Sequence, residues 1–267
     1  MLVHFHKYQA TGNDFVLIDN RKDNHHFSPH AIGKLCDRRF GVGADGVILI
    51  EEAGGSDFKM TYYNPDGTQS LCGNGCRAAV AFAATLKMIG PTTTFLAFDG
   101  SHEASILTDQ VVRLRLNDVD AIKRIGEDFF IHNGSPHYVR FVTSLSALDV
   151  EKEGSMIRHH ASFKPAGTNV NFVELNPGNR ISVRTFERGV EGETFSCGTG
   201  VVAAALAASL KGYTSPLTVQ AKGGVLEVAF EHKNAPSAVT DNIPPFAFGG
   251  IFLTGPAKMV FEGDLEL

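Results

Sequence analysis

The sequence predicts an α/β (α+β) chain of two similar halves, each a curved sheet wrapped around one central helix. Three observations carry that expectation. First, a motif recurs at an offset of 125 residues: CGNGCRAAVAFAA at 72–84 returns as CGTGVVAAALAAS at 197–209. Pro91 falls on Pro216 at the same offset, and Ala97, Gly100 and Glu103 fall on Ala221, Gly224 and Glu227 one residue out of step. A period this long is domain-sized rather than a solenoid repeat. Second, the Ala-rich segments AAVAFAATL and VVAAALAASL carry almost no charge on any face. A helix that is apolar all round is buried, and its small side chains let strands approach closely. Third, short runs rich in Val, Ile, Phe and Tyr, bounded by Gly, Asn and Pro, surround each helix.

Taken in order, DFVLID, GVILIE and FKMTYYN read as strands of the first half, with HAIGKLCDRRF helix-like between them. The first Ala-rich helix follows Cys72 and is expected to end near Gly90, with Pro91 beyond it as a stop. TTTFLAFDG resumes strand. The polar stretch RLRLNDVDAIKR places a boundary near 113–120. NVNFVEL and RISVRTFE lead to the second cysteine, whose helix is expected to end near Gly212, ahead of Pro216. PLTVQAKGGVLEVAF is strand again, and PAKMVFEGDLEL reads as one more strand. The expected domains are residues 1–116 with 256–267, and residues 117–255.

The chain has 267 residues, 43% hydrophobic and 20% charged, enough for a core without disulfide or metal staples. Disorder, collagen-like repeats and coiled coil are excluded as the dominant state. A formal net charge of −5 and the lack of a basic stripe argue against nucleic acid. No run reaches the roughly 18 apolar residues of a membrane span. The start, MLVHFHKYQATGNDF, lacks the features of a signal peptide, so a cytoplasmic location is expected. In a reducing compartment Cys36, Cys72, Cys76 and Cys197 are not a disulfide framework.

The strongest chemical signal is a cysteine placed twice at a strand–Gly–helix junction. A helix N-terminus presents unpaired N–H groups and partial positive charge. It favours thiolate and makes an anion site, with glycines letting a ligand approach the backbone. Two such cysteines, Cys72 and Cys197, on matching elements of two halves suggest a symmetric pair. Stereoinversion next to a carboxylate needs that arrangement: one thiolate removes the α-proton and the opposite thiol delivers a proton to the other face. A duplicated packing motif is the competing explanation of the repeat. Cys36 reads as a small buried hydrophobe. Cys72-x3-Cys76 resembles metal-ligand spacing, but no further Cys or His follows closely, so no metal is expected.

Asn13 in ATGNDF, Asn64 in YYNPDG and Asn169 in GTNVNF read first as turn residues. Glu187-Arg188 in TFERG reads first as a solvated pair; the functional alternative is that they bind the substrate's ammonium and carboxylate groups. His137 in GSPHYV is a core histidine or a group that tunes a cysteine. The G-x-G-x-x-G string Gly41–Gly46 has no clear βαβ context. No lysine is marked as a pyridoxal phosphate anchor, so no cofactor is expected.

TGNDFV, GVGADG, NPDGTQSLCGNGCR, GSPHYV, GTNVNFV, ERGVEGETFSCGTG and LTGPAKMVFEG together resemble the diaminopimelate epimerase family, in that order and over nearly the whole chain. The resemblance implies two pseudo-symmetric domains, each a curved, mostly antiparallel sheet around a central helix. It implies a pyridoxal-phosphate-independent epimerase that interconverts LL- and meso-2,6-diaminopimelate in lysine and peptidoglycan biosynthesis, cytoplasmic and homodimeric. Cys72 and Cys197 fall on the acid/base pair, and Asn13, Asn64 and Asn169 on substrate-binding asparagines. Gly73-Asn74 and Gly198-Thr199 fall on the backbone cradle of the reacting carboxylate. Glu187 and Arg188 fall on the binding pair, and His137 and Glu187 on residues that modulate the cysteines. Gly46 stands where many members have Gln, and Ser135 where many have Asn, which bears on recognition of the distal end of the substrate. The competing readings are a proline or hydroxyproline epimerase or a dehydratase of that superfamily (such enzymes tend to show CGHG where this chain has CGNG), a carboxylate-binding protein without turnover, and a hydrolase using Cys197 and His137.

Overall fold

The structure, a computed structural model, describes residues 1–22, 25–233 and 246–267. It divides into two compact units, Met1–Leu114 with Thr254–Leu267, and Arg115–Leu253. In chain order the first part holds β1 (Leu2–Ala10), β2 (Asn13–Asp19), α1 (Pro29–Cys36), β3 (Gly46–Glu51), β4 (Phe58–Tyr63), α2 (Gly73–Thr85), β5 (Thr92–Ala97), β6 (Gly100–Thr108) and β7 (Val111–Arg115). Then come β8 (Ile122–Ile125), β9 (Asp128–His132), β10 (Pro136–Phe141), α3 (Val150–Arg158), β11 (Asn169–Asn176), β12 (Arg180–Glu187), β13 (Gly192–Thr194), α4 (Gly198–Ser209), β14 (Leu217–Ala221), β15 (Gly224–Lys233) and β16 (Ala247–Pro256). The last strand, β17 (Lys258–Glu266), pairs antiparallel with β1 and so belongs to the first unit.

Both units repeat one pairing grammar. In the first, β2 pairs parallel with β3, β3 antiparallel with β4, β4 parallel with β5, and β5 antiparallel with β6. In the second, β10 pairs parallel with β11, β11 antiparallel with β12, β12 parallel with β14, and β14 antiparallel with β15. Parallel neighbours need a long crossover, and helices supply it: α1 and α2 in one unit, α3 and α4 in the other. GVILIE is buried along most of its length, as befits a strand next to a parallel neighbour and covered on both faces.

The two crossover helices α2 and α4 are the cores of their units. Asn74 to Ala83 of α2 are buried, as are Gly200 to Ala208 of α4. Strands β1 to β4 and β6 touch α2; β9 to β12, β14 and β15 touch α4. The outer helices are shorter and amphipathic. Ser28 caps α1 by accepting from the Ala31 N–H, with Pro29 in the first turn. Asp149 caps α3 in the same way.

The helix ends differ from expectation in one place. α4 is closed by Gly212 in the left-handed region (φ 94°), with the Tyr213 N–H donating to Ala208 O. α2 stops at Thr85, short of Gly90. Its closing residue is Lys87, also left-handed (φ 58°), with the Met88 N–H donating to Ala83 O. Lys87 stands at the position that Gly212 takes in the second copy of the motif, so a bound geometry has been kept where the glycine has not.

Candidate active site

In the first unit Cys72 is the N-cap of α2, with extended backbone (φ −129°, ψ 110°). Its sulfur accepts from the Gly75 N–H at 3.4 Å and its S–H donates to Asn13 Oδ1 at 3.5 Å. Asn74 Nδ2 donates to the same Asn13 oxygen at 3.3 Å. The orientation of the Asn13 amide is fixed from behind, because its Nδ2 donates to Asp45 Oδ2 at 2.6 Å and a carboxylate can only accept. Asp45 is itself held by Arg38, which also bridges Asp14. Burial raises Asp14, but hydrogen bonds from Arg38 and Lys7 outweigh it and hold the carboxyl well below the usual range.

Arg77, one turn into α2, is fully buried. Its Nη2 donates to Asn74 Oδ1 at 3.0 Å and to Thr11 Oγ1 at 3.2 Å. Thr11 is a buried β-branched residue with φ 51°, a strained state for such a side chain. With Gly12 it makes the two-residue turn of the β1–β2 hairpin that delivers Asn13. Burial pushes Arg77 down to about 10, so it is a cation at neutral pH. Asn64 sits apart from this chain of contacts: its Nδ2 donates to Thr68 and Ser70, shaping the loop that leads to Cys72.

In the second unit Cys197 is the N-cap of α4 (φ −110°, ψ 111°). Thr199 Oγ1 lies 3.6 Å from its sulfur and 2.9 Å from His137 Nε2. His137 Nδ1 faces the Asn171 Nδ2 donor at 3.2 Å, so the network assigns the proton to Nε2 and makes His137 the donor to Thr199. Thr185 donates to Asn171 Oδ1, fixing that amide in turn. Burial, with lesser repulsion from His132 and Arg188, pushes His137 down to about 3; it is neutral at physiological pH. Asn133 Nδ2 accepts no role in the side-chain relay but donates to Thr199 O at 2.8 Å.

The remaining expected residues of this unit also meet. Asn169 Oδ1 accepts from the Arg188 backbone N–H at 2.9 Å, and its Nδ2 donates to Pro136 O. Glu187 Oε2 accepts from Thr194. Asn171, Asn133, Arg77 and Asp45 are absent from the expectations. Asn171 had one visible signal: a polar residue in the centre of the apolar run NVNFV, where it is completely buried.

Both cysteines precede the first intrahelical bonds, which run from the Cys76 N–H to Cys72 O and from the Val201 N–H to Cys197 O. The backbone N–H groups of Gly73-Asn74 and Gly198-Thr199 therefore lie in the first helical turns, without intrahelical acceptors. Cys76 and Cys36 behave differently. Burial pushes both thiols up, Cys36 to about 11, which keeps them protonated. The Gly41–Gly46 string connects α1 to β3 rather than opening a helix. A Cβ on Gly41 would lie 1.7 Å from Lys34 O, and one on Gly46 2.3 Å from the Tyr62 ring; these glycines serve packing. Among the described residues no helix is long and apolar enough to cross a membrane.

The fold is shared with solved structures. A Bacillus anthracis phenazine biosynthesis protein of the PhzF family superposes with a TM-score of 0.73 at 14% identity, covering all of both chains. A hydroxyproline epimerase from Agrobacterium vitis gives 0.67 at 13% identity, over 100% of this chain and 93% of that one. Sequence relatives define the class: an isomerase, an amino-acid epimerase that works without pyridoxal phosphate. The sequence pattern of diaminopimelate epimerase matches residues 5–113 and 129–245. A diaminopimelate epimerase of Flavobacterium psychrophilum is 46% identical over 265 residues, 96% of this chain and 98% of the relative. One from Chlorobaculum tepidum is 39% identical, over 97% and 99%. The chain belongs to the diaminopimelate epimerase family.

Proposed function

We propose that the protein interconverts LL- and meso-2,6-diaminopimelate, in lysine and peptidoglycan biosynthesis, with Cys72 and Cys197 as the two acid/base groups on opposite faces of one α-carbon. The observation that carries this is the doubled N-cap: each thiol crowns the buried crossover helix of a unit, and both units have the same strand grammar. The helix N-termini supply N–H groups from Gly73, Asn74, Gly198 and Thr199 to the reacting carboxylate and to the negative charge that grows on it as the α-proton leaves. Asn13, Asn64, Asn169, Glu187 and Arg188 bind the rest of the substrate, with Arg188 suited to a carboxylate. His137 and Glu187 modulate the cysteines.

The two sulfurs differ in hydrogen-bond polarity. Cys72 faces an acceptor, Asn13 Oδ1, locked in place by Asp45. Cys197 faces the Thr199 hydroxyl, whose oxygen already accepts from His137, leaving its proton for the sulfur. One sulfur takes the α-proton and the other gives a proton to the opposite face, with roles exchanged in the reverse direction. The enzyme works in the cytoplasm as a homodimer. Met259, Val260 and Phe261, exposed side by side on β17, offer a second copy an apolar strand to cover.

The experiment is α-proton exchange in deuterated water. LL-diaminopimelate should incorporate solvent deuterium and racemise at one centre, whereas proline should not. Cys72→Ala and Cys197→Ala should each abolish epimerisation. Near-wild-type turnover in either variant overturns the two-thiol mechanism. Exchange with proline in place of diaminopimelate overturns the substrate, and tight ligand binding without any exchange overturns turnover itself.

A further inference from the structure

The paired strands that join the two ends of the chain carry a cluster that the epimerase chemistry does not use. His4 and His6 alternate with buried residues along β1, so both point to the same face. The register sets His6 opposite Glu262 and His4 opposite Asp264 on β17. One potential ligand atom from each of His4, His6 and Glu262 lies within 4.8 Å of the others. The distance from His6 Nε2 to Glu262 Oε2 is 3.2 Å. Two ligands about 2.1 Å from a tetrahedral zinc ion stand roughly 3.4 Å apart, so this pair already has the spacing of one edge of such a site. His4 Nδ1 is held by Asp264 Oδ1 at 2.9 Å. That contact leaves His4 Nε2 as the ligand atom and reproduces the carboxylate–histidine pairing that orients metal-bound imidazoles.

The support is uneven in a useful way. The His6 ring packs on Phe82 of α2, centroids 4.6 Å apart, and its side chain is only 15% exposed. Its Nδ1 is shut off from solvent with no hydrogen-bond partner among the described residues, which leaves Nε2 as the working atom. His4 and Glu262 are exposed, so their side chains can turn inward over the remaining distance. One fixed ligand and two adjustable ones suit a metal that is captured rather than built in.

We propose that His4, His6 and Glu262 bind one late first-row transition metal ion, zinc by preference, with Asp264 orienting His4. Imidazole nitrogens with a single carboxylate select zinc, cobalt, nickel or copper over magnesium and calcium. The ion ties β17 to β1, and so the last strand of the chain to the first. It favours the folded state by mass action, since the four residues are adjacent only when those strands pair.

The test uses the untagged full-length protein stripped of metal. Cobalt(II) chloride should bind one ion per chain with the weak visible bands of a nitrogen/oxygen site and without the intense near-ultraviolet band of a thiolate site. Zinc chloride should displace it and raise the melting temperature. His6→Gln, His4→Gln and Glu262→Gln should each weaken binding at least tenfold, and Asp264→Asn about tenfold through its hold on His4. Because His4 and Glu262 are exposed, their variants fold even if His6→Gln does not, and the epimerase activity of His4→Gln should match wild type. A thiolate band, a failure to saturate at one ion per chain, or binding unchanged in His4→Gln and Glu262→Gln overturns the proposal.

Discussion

The Nε2–H of His137 donates to the hydroxyl of Thr199 at 2.9 Å, and that hydroxyl lies 3.6 Å from Cys197 Sγ. The histidine thus reaches the sulfur only through an intermediate oxygen, as a positioning residue. Its contribution depends on donating one N–H from a fixed place. Gln can present an amide N–H near the position of Nε2, whereas Phe fills the volume and donates nothing. His137→Gln should keep most of kcat, and His137→Phe should lose about 2- to 10-fold, the value of a buried hydrogen bond between neutral groups. Thr199→Val should lose as much, and the double variant no more than either alone. Additive losses in the double variant mean that the two residues act separately.

His137 also sets a pH dependence of stability. Its pKa falls from the ordinary 6.5 of a histidine to about 3 on folding. Between those values the unfolded chain binds a proton that the folded chain refuses, so stability is full above pH 6.5 and falls as the pH drops towards 3. The slope for this one fully buried group is about 1.4 kcal/mol per pH unit. Urea unfolding of the wild type and of His137→Gln at pH 7.5 and 5.5 isolates it. The wild type should lose roughly 1 kcal/mol more than the variant over that interval, and parallel losses would show that His137 is not the group that titrates.

Lys87 offers the opposite kind of test, a gain. It holds φ 58° at the closing position of α2, where the matching residue of the second copy is Gly212 at φ 94°. The left-handed region costs a side-chain-bearing residue roughly 1–2 kcal/mol, offset in part by the extra freedom glycine has when unfolded. Lys87→Gly should therefore raise the unfolding free energy by about 0.5–1 kcal/mol, with activity unchanged. The converse, Gly212→Ala, should lower it by a similar amount. A destabilised Lys87→Gly would place value in the lysine side chain itself.

These positions show what a sequence can and cannot reveal. The cysteine caps were legible because a capped helix start is local: the cysteine, the glycines and the apolar helix are contiguous at 72–84 and at 197–209. The doubling made two halves legible too, and the runs GVILIE, NVNFVEL and RISVRTFE appear as β3, β11 and β12. β1 was harder to see, because HFHKYQ alternates histidines with its buried residues and looks polar overall. The early end of α2 was hidden because Lys87 does a glycine's work without being one. The relay from Asn171 through His137 to Thr199 spans separations of 34 and 62 residues, so only the pairing of β10 with β11 and the packing of α4 against them bring it together. Arg77 reads as one more letter of a motif until its complete burial is known.

That burial makes Arg77 the sharpest separation of stability from function. Its Nε and Nη1 lack partners among the described residues, while Nη2 holds both strained Thr11 and Asn74. Replacing a buried charge by an apolar side chain of similar length is often neutral: the orphaned donors vanish along with the useful bond. Arg77→Met should therefore change stability by no more than about 1 kcal/mol. Asn74 and the Thr11–Gly12 turn lose their anchor, however, and with them the placement of the Asn13 oxygen against Cys72, so kcat should fall about tenfold or more. Thermal melts alongside steady-state epimerisation decide the matter. A loss of several kcal/mol with a matching loss of active protein would make Arg77 a structural strut and nothing more.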